Sequence, residues 1–167
     1  MDRGISTKIV WVFSAEEAMA SRFEFIEPPH ILIAVMKFAE MNESDLGRYA
    51  RDRHSKAFFN KEQSAILDVL ESHHIYVPEG SKQIRGTLRK RLGKSDYKAS
   101  VGWNTHRSEA SRRIGKKAEK IAQEDDSRLV KATHMFDALL ESPTKLMVSV
   151  LEEAGAIAGP IDNDTQV

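Results

Sequence analysis

Ile26-Glu27-Pro28-Pro29-His30-Ile31-Leu32-Ile33-Ala34-Val35 and Val130-Lys131-Ala132-Thr133-His134-Met135-Phe136-Asp137-Ala138-Leu139 are two copies of one pattern, 104 residues apart. In each, a hydrophobe stands four residues before a histidine, apolar residues follow it, and an alanine stands four after it. Reading outward, Ala18 and Ala122 both lie twelve residues before their histidines, and Ser14 and Ala118 sixteen before. Small residues spaced by four let a neighbouring helix approach closely, so each copy reads as a helix, a break and a second helix. Downstream, Leu70-Glu71-Ser72-His73-His74 mirrors Leu151-Glu152-Glu153-Ala154-Gly155. The step from histidine to the last of these positions is 44 residues in the first copy and 21 in the second, so the first copy carries an insertion, placed at 41–60.

Helical periodicity fills the space around the two copies. Ile9, Val12, Phe13, Ala20 and Phe23 predict a first helix over 6–22. Pro28 and Pro29 suit a helix start, where proline's missing N–H is no loss, and 30–40 is apolar almost all round, which predicts a central helix. A polar helix is expected over 45–56, and Asn60-Lys61-Glu62-Gln63 reads as a capping-box start of the next one. Pro78-Glu79-Gly80-Ser81 is a break, 82–92 a basic helix stopped by Gly93, and 94–105 a linker without helical period. Ala110, Ile114, Ala118, Ile121 and Ala122 give the stripe of a long helix, and 133–141 is another. Ser142-Pro143 reads as the start of a last helix that ends at Gly155. No stretch alternates with period two. The expected fold is all-α: a first repeat over 1–80, a basic connector over 81–105, a second repeat over 106–157 and a polar tail over 158–167. The insertion is expected to project from the first repeat or to add a helix to it, and its removal to leave the core folded.

At 167 residues the chain is long enough to bury a core without staples, and it has no cysteine, which excludes disulfides, thiolate metal sites and a thiol nucleophile. No apolar run approaches the length that spans a bilayer, and the first residues lack the hydrophobic core of a signal peptide; a soluble, cytoplasmic protein is expected. The net charge of zero conceals a segregation: 1–80 carries −4, 81–120 carries +10 and 121–167 carries −6. The blocks are read as neutralising one another in the fold. The alternative is a nucleic-acid surface over 82–117, with Arg85, Arg89, Lys90, Arg91, Lys94 and Lys98 on phosphates and Tyr97 and Trp103 stacking.

The paired alanines, the histidine opening a helix twelve residues later and the closing leucine–glycine resemble the tandem repeat of the Clp unfoldase amino-terminal domain. The second copy matches through Ala118, Ala122, Val130, His134, Leu151 and Gly155; the first matches through Ala18, Ile26, His30 and Leu70, with His74 in place of the glycine. The resemblance covers about 5–157 and implies two four-helix units related by a pseudo-twofold axis, without ATPase modules. It implies a non-enzymatic module that binds a protein or peptide, such as an adaptor or a Clp ATPase or protease component, with no cofactor, no metal and no membrane.

Several chemistries are weighed against this reading. Gly93-Lys94-Ser95 imitates the end of a phosphate loop, but Leu88 stands where that loop needs its first glycine. His30, His54, His73, His74, His106 and His134 form no metal signature, and His30 and His134 are read as bonding nearby backbone. Some members of the resembled family bind phosphoarginine through an acidic residue just before each histidine and a hydroxyl twenty-six before it. The acidic positions here are Pro29 and Thr133 and the hydroxyl positions Gly4 and Ser108, so phosphoarginine binding is not expected. Partner contacts are assigned to the groove between repeats, near Pro29, Ser108 and Thr133.

Overall fold

The computed structural model describes residues 1–100, 102 and 104–156. Trp103 and the polar tail lie outside them. Among the described residues the chain forms eight helices: α1 (Ile5–Ala20), α2 (Pro28–Ala39), α3 (Glu43–Leu46), α4 (Arg53–Ser72), α5 (Glu79–Leu92), α6 (Glu109–Glu124), α7 (Ala132–Glu141) and α8 (Lys145–Glu153). Four two-residue strands accompany them: β1 (Asp2–Arg3), β2 (Phe25–Ile26), β3 (His106–Arg107) and β4 (Leu129–Val130). The architecture is all-α, and the repeat offset of 104 maps α1 on α6, β1 on β3 and β2 on β4.

The strands show how the repeats are joined. β1 pairs in parallel with β4, and β2 with β3, so each pairing takes one strand from either repeat. The hydrogen bonds are duplicated with the repeat. Gly4 N donates to Val130 O at 2.7 Å and Ser108 N to Ile26 O at 3.0 Å. Thr7 Oγ1 donates to that same Val130 carbonyl at 2.7 Å, and Ser111 Oγ to that of Ile26 at 2.6 Å. Four strands too short to make a free-standing sheet thus tie two helical units together, with hydroxyls from α1 and α6 filling the second lone pair of each carbonyl.

The helix ends repeat too. Arg22 and Asp126 both take the left-handed conformation, φ 57° and 52°, just past α1 and α6. Phe23 N then reaches back to Ala18 O at 2.9 Å and Ser127 N to Ala122 O at 2.8 Å, closing each helix. Past α4 and α8 the equivalent residues are His74, φ 60°, and Gly155, φ 73°. A side chain in this region is disfavoured by contact between Cβ and the backbone, and His74 is exposed, with nothing to hold it there but the helix end. His74→Gly is therefore expected to raise stability by about 0.5–1 kcal/mol. A urea midpoint unchanged or lowered in that variant would show the conformation to be free of strain.

The core is built on α2, whose Ile31, Leu32, Ala34, Val35, Met36 and Phe38 are wholly buried. α1 packs along it as α6 packs along α7, α2 meets α7 between the repeats, and α5 bridges α2 to α8.

Three local readings are corrected. The polar stretch 45–56 is not one helix: α3 ends at Leu46, a turn follows, and Asp52 caps α4 by accepting from Ser55 N at 2.8 Å. Asn60 is inside α4, because the cap at Asp52 starts the helix two turns earlier than the motif at Asn60-Gln63 suggests. The last helix is capped by Thr144, which accepts from Met147 N at 3.3 Å, and not by Ser142. The insertion adds α3 and the first turns of α4, and it does not stand off the core. Leu46, Ala50 and Phe59 are 5 %, 0 % and 0 % exposed, and the Phe59 ring meets Phe38 edge-on at 5.3 Å.

Candidate functional site

Both repeat histidines sit at the third position of a helix, and their rings fold back on the chain. Nδ1 of His30 accepts from Glu27 N at 2.9 Å, and Nδ1 of His134 from Lys131 N at 3.0 Å. With Nδ1 an acceptor, the remaining proton of the neutral ring is on Nε2. That decides what His30 can do. Its Nε2 lies 3.4 Å from Ser21 Oγ in a cleft of about 300 Å³ shared with Glu17 and Arg89, an arrangement that superficially suits a nucleophile and its base. Nε2–H is the donor there, and Ser21 Oγ donates to Glu17 O at 2.6 Å, so no base is available to Ser21. Burial lowers the His30 pKa to about 4, against a smaller opposing pull from Glu17. The His134 pKa is lowered as well, again by burial first, with Asp125 raising it and Lys131 lowering it.

The expected contact residues do not form one groove. Ser108 caps α6, its Oγ accepting from Ser111 N at 3.1 Å, beside the β2–β3 pairing that leads into Pro29. Pro29 is buried in the first turn of α2, so its side chain is not open to a partner. Thr133 belongs to the other joint, next to Ala132, whose N–H donates to Ser6 Oγ at 2.9 Å.

At that joint lies a residue that sequence reasoning passed over. Glu62, 5 % exposed on α4, accepts from Ser6 N at 2.8 Å and also from Ser6 Oγ. A carboxylate at the start of α1 satisfies an unpaired N–H and favours the positive end of the helix dipole. It also explains Gly4, where the second repeat has Ser108: a Cβ at Gly4 would lie 2.7 Å from Glu62 Oε1. The signal was the missing hydroxyl at Gly4, which marks a helix start filled from elsewhere.

The charge segregation resolves in part into ion pairs. Arg89 holds Glu17 with two hydrogen bonds, 3.0 and 2.6 Å, and Lys37 approaches the same carboxylate at 3.3 Å. Burial pushes Glu17 up, but the hydrogen bond and charge of Arg89, joined by Lys37, hold its carboxyl below the usual range. Arg85 faces Glu40, with Nη2 donating at 3.2 Å and Nε 2.6 Å from Oε2 but off the axis of a hydrogen bond. Arg91 pairs with Glu153, and Lys117 with Glu141 at 2.8 Å. The connector arginines are thus spent on the acidic arms. Gly93, φ 67°, ends α5, so Gly93-Lys94-Ser95 closes a helix where a phosphate loop would open one.

A different basic group is left over. Arg3, Arg107, Arg112 and Lys116 line a cleft of about 310 Å³ between α1 and α6, with Trp11, Gly115 and Glu119. Arg3 and Arg107 are repeat equivalents, and so are Trp11 and Gly115, so the cleft lies across the axis that relates the repeats. The Arg107 guanidinium stands over the Trp11 ring, 5.0 Å from its centre. Burial, then the nearby charges of Arg3 and Arg112, lower the Arg107 pKa, against a smaller opposing pull from Glu119.

The whole arrangement has solved counterparts. The structure is similar to the Hsp104 N-terminal domain of Candida albicans, with a TM-score of 0.64 and 17 % identity over 95 % of this chain and 85 % of that one. The fold is that of a Clp amino-terminal domain. A second similar structure comes from preliminary structural investigations of a malarial protein secretion system, with a TM-score of 0.59 and 12 % identity over 92 % of this chain and 84 % of that one. At these identities the likeness carries the Clp-domain fold alone. No protein-family model and no curated protein sequence matches the chain. Among the described residues no helix is long and apolar enough to cross a membrane, and no group of three or more acidic, His or Cys side chains could hold a metal ion.

Proposed function

We propose that this chain is a non-catalytic interaction module of the Clp chaperone and protease system, working in the cytoplasm and binding a peptide, an adaptor or a component of a Clp ring. The observation that carries this reading is the fold: two repeats of a Clp amino-terminal domain, interleaved through β1–β4 and β2–β3, fill nearly the whole described chain. The blocked Ser21–His30 pair supports a role without covalent chemistry. Phosphoarginine is not the ligand in this reading. Pro29 is buried, Thr133 carries no charge, and Glu62 already occupies the start of α1.

Affinity capture from the source cell with the tagged full chain, followed by reconstitution with the purified candidate, tests the reading. The expected result is a Clp ATPase, a protease subunit or an adaptor that binds saturably. Recovery of nucleic acid alone, with binding that falls steeply as salt is added, would replace it with the nucleic-acid alternative. The pairing of Arg85, Arg89 and Arg91 with Glu40, Glu17 and Glu153 argues against that outcome.

A further inference from the structure

We propose that the arginine-lined cleft between α1 and α6 holds an acidic segment, rich in Asp and Glu, of a protein partner. The proposal rests on the interaction-module reading and names the chemistry of its ligand.

Charge pairing is the first reason. Six of the thirteen basic residues in 81–120, namely Arg85, Arg89, Arg91, Arg113, Lys117 and Lys120, face carboxylates. Among the described residues Arg3, Arg107, Arg112 and Lys116 make no ion pair, although they share one cleft. Four like charges held together repel one another, and Glu119 is the single carboxylate lining the same space. Anionic groups entering the cleft relieve that repulsion, and guanidinium groups bind carboxylates in a two-pronged geometry that ammonium groups lack.

Geometry is the second reason. Trp11 forms a rigid wall, and its ring orients Arg107 by a cation–π contact, so that cation is already placed before a ligand arrives. The cleft is about 310 Å³, room for a few side chains. Nucleic acid needs instead a long basic track for its backbone, and the three arginines that would extend one along α5, Arg85, Arg89 and Arg91, are paired with acids.

The test uses the full chain carrying Trp103→Phe, which leaves Trp11 as the only tryptophan of two. A short fluorescein-labelled peptide of alternating Glu and Gly is titrated in, with the Lys–Gly counterpart as control. Saturable binding of the acidic peptide is expected, with a change in Trp11 emission and none for the control. Arg107→Gln combined with Arg112→Gln is expected to weaken binding by about tenfold or more. Glu119→Gln is expected to strengthen it several-fold, a gain that misfolding cannot imitate. Equal affinity in the double variant, or weaker binding in Glu119→Gln, would overturn the proposal. So would a single-stranded oligothymidylate that binds the wild type more tightly and displaces the peptide. If a captured Clp partner binds the double variant as well as wild type, the cleft assignment fails while the module reading stands. If no protein partner binds either form, the module reading itself fails.

Discussion

Phe59→Ala is expected to destabilise the protein by about 3–5 kcal/mol, the usual range for emptying the site of a buried phenylalanine. Phe59 is 0 % exposed and packs edge-on against Phe38, which is itself wholly buried on the central helix α2. The loss combines the transfer of a large ring to water with a cavity that α2 cannot collapse to fill, since its other faces are already packed. Phe58 is the internal control: it is 47 % exposed, and Phe58→Ala should cost well under half as much. Deletion of 41–60 should accordingly abolish cooperative unfolding, because it removes Leu46, Ala50 and Phe59 together. Guanidinium unfolding of the three variants measures this. A Phe59→Ala midpoint close to wild type would mean that the inserted segment is an appendage after all.

Acid should weaken the domain before its carboxylates are protonated in bulk. His30 has its pKa lowered to about 4 from 6.5, so the unfolded chain takes up a proton that the native ring refuses. The stability associated with the neutral ring is fully present above pH 6.5 and is lost as pH falls towards 4. The full difference is roughly 3 kcal/mol for His30. His134, also lowered, contributes in the same direction. Urea midpoints should therefore fall between pH 7 and pH 4.5. His30→Gln should be less stable at pH 7, since the ring contact with Phe23 at 4.9 Å is lost, but its decline over that interval should be shallower. Parallel pH profiles for the variant and wild type would show that His30 is not the group responsible.

These effects mark the division between what was legible and what was not. The repeat was legible because its signals are local. Prolines at the first positions of a helix, histidines that bond the residue three before, and small residues four apart each act within a few positions of chain. The sequence by itself therefore determined α1, α2, α6 and α7, their order and their duplication. It also marked the left-handed helix end at Gly155, and departed from its own rule at His74.

The tertiary structure alone decided the rest, because each remaining feature depends on groups far apart in sequence. Glu62 reaches Ser6 across 56 positions, so its carboxylate looks like part of a capping motif until α4 is laid against α1. Phe59 falls in a stretch that reads as a removable insertion until α2 lies beneath it. The connector arginines allow two readings, neutralisation within the fold or a nucleic-acid patch, until Glu17, Glu40 and Glu153 come to meet them and supply the first. Arg3 and Arg107 stand 104 residues apart, each an isolated cation in the chain, and only the parallel pairing of β1 with β4 and β2 with β3 brings them to one cleft. Periodicity says which face of a helix is apolar, but not which distant charge will be set opposite it; that is determined when the helices pack and water is excluded from between them.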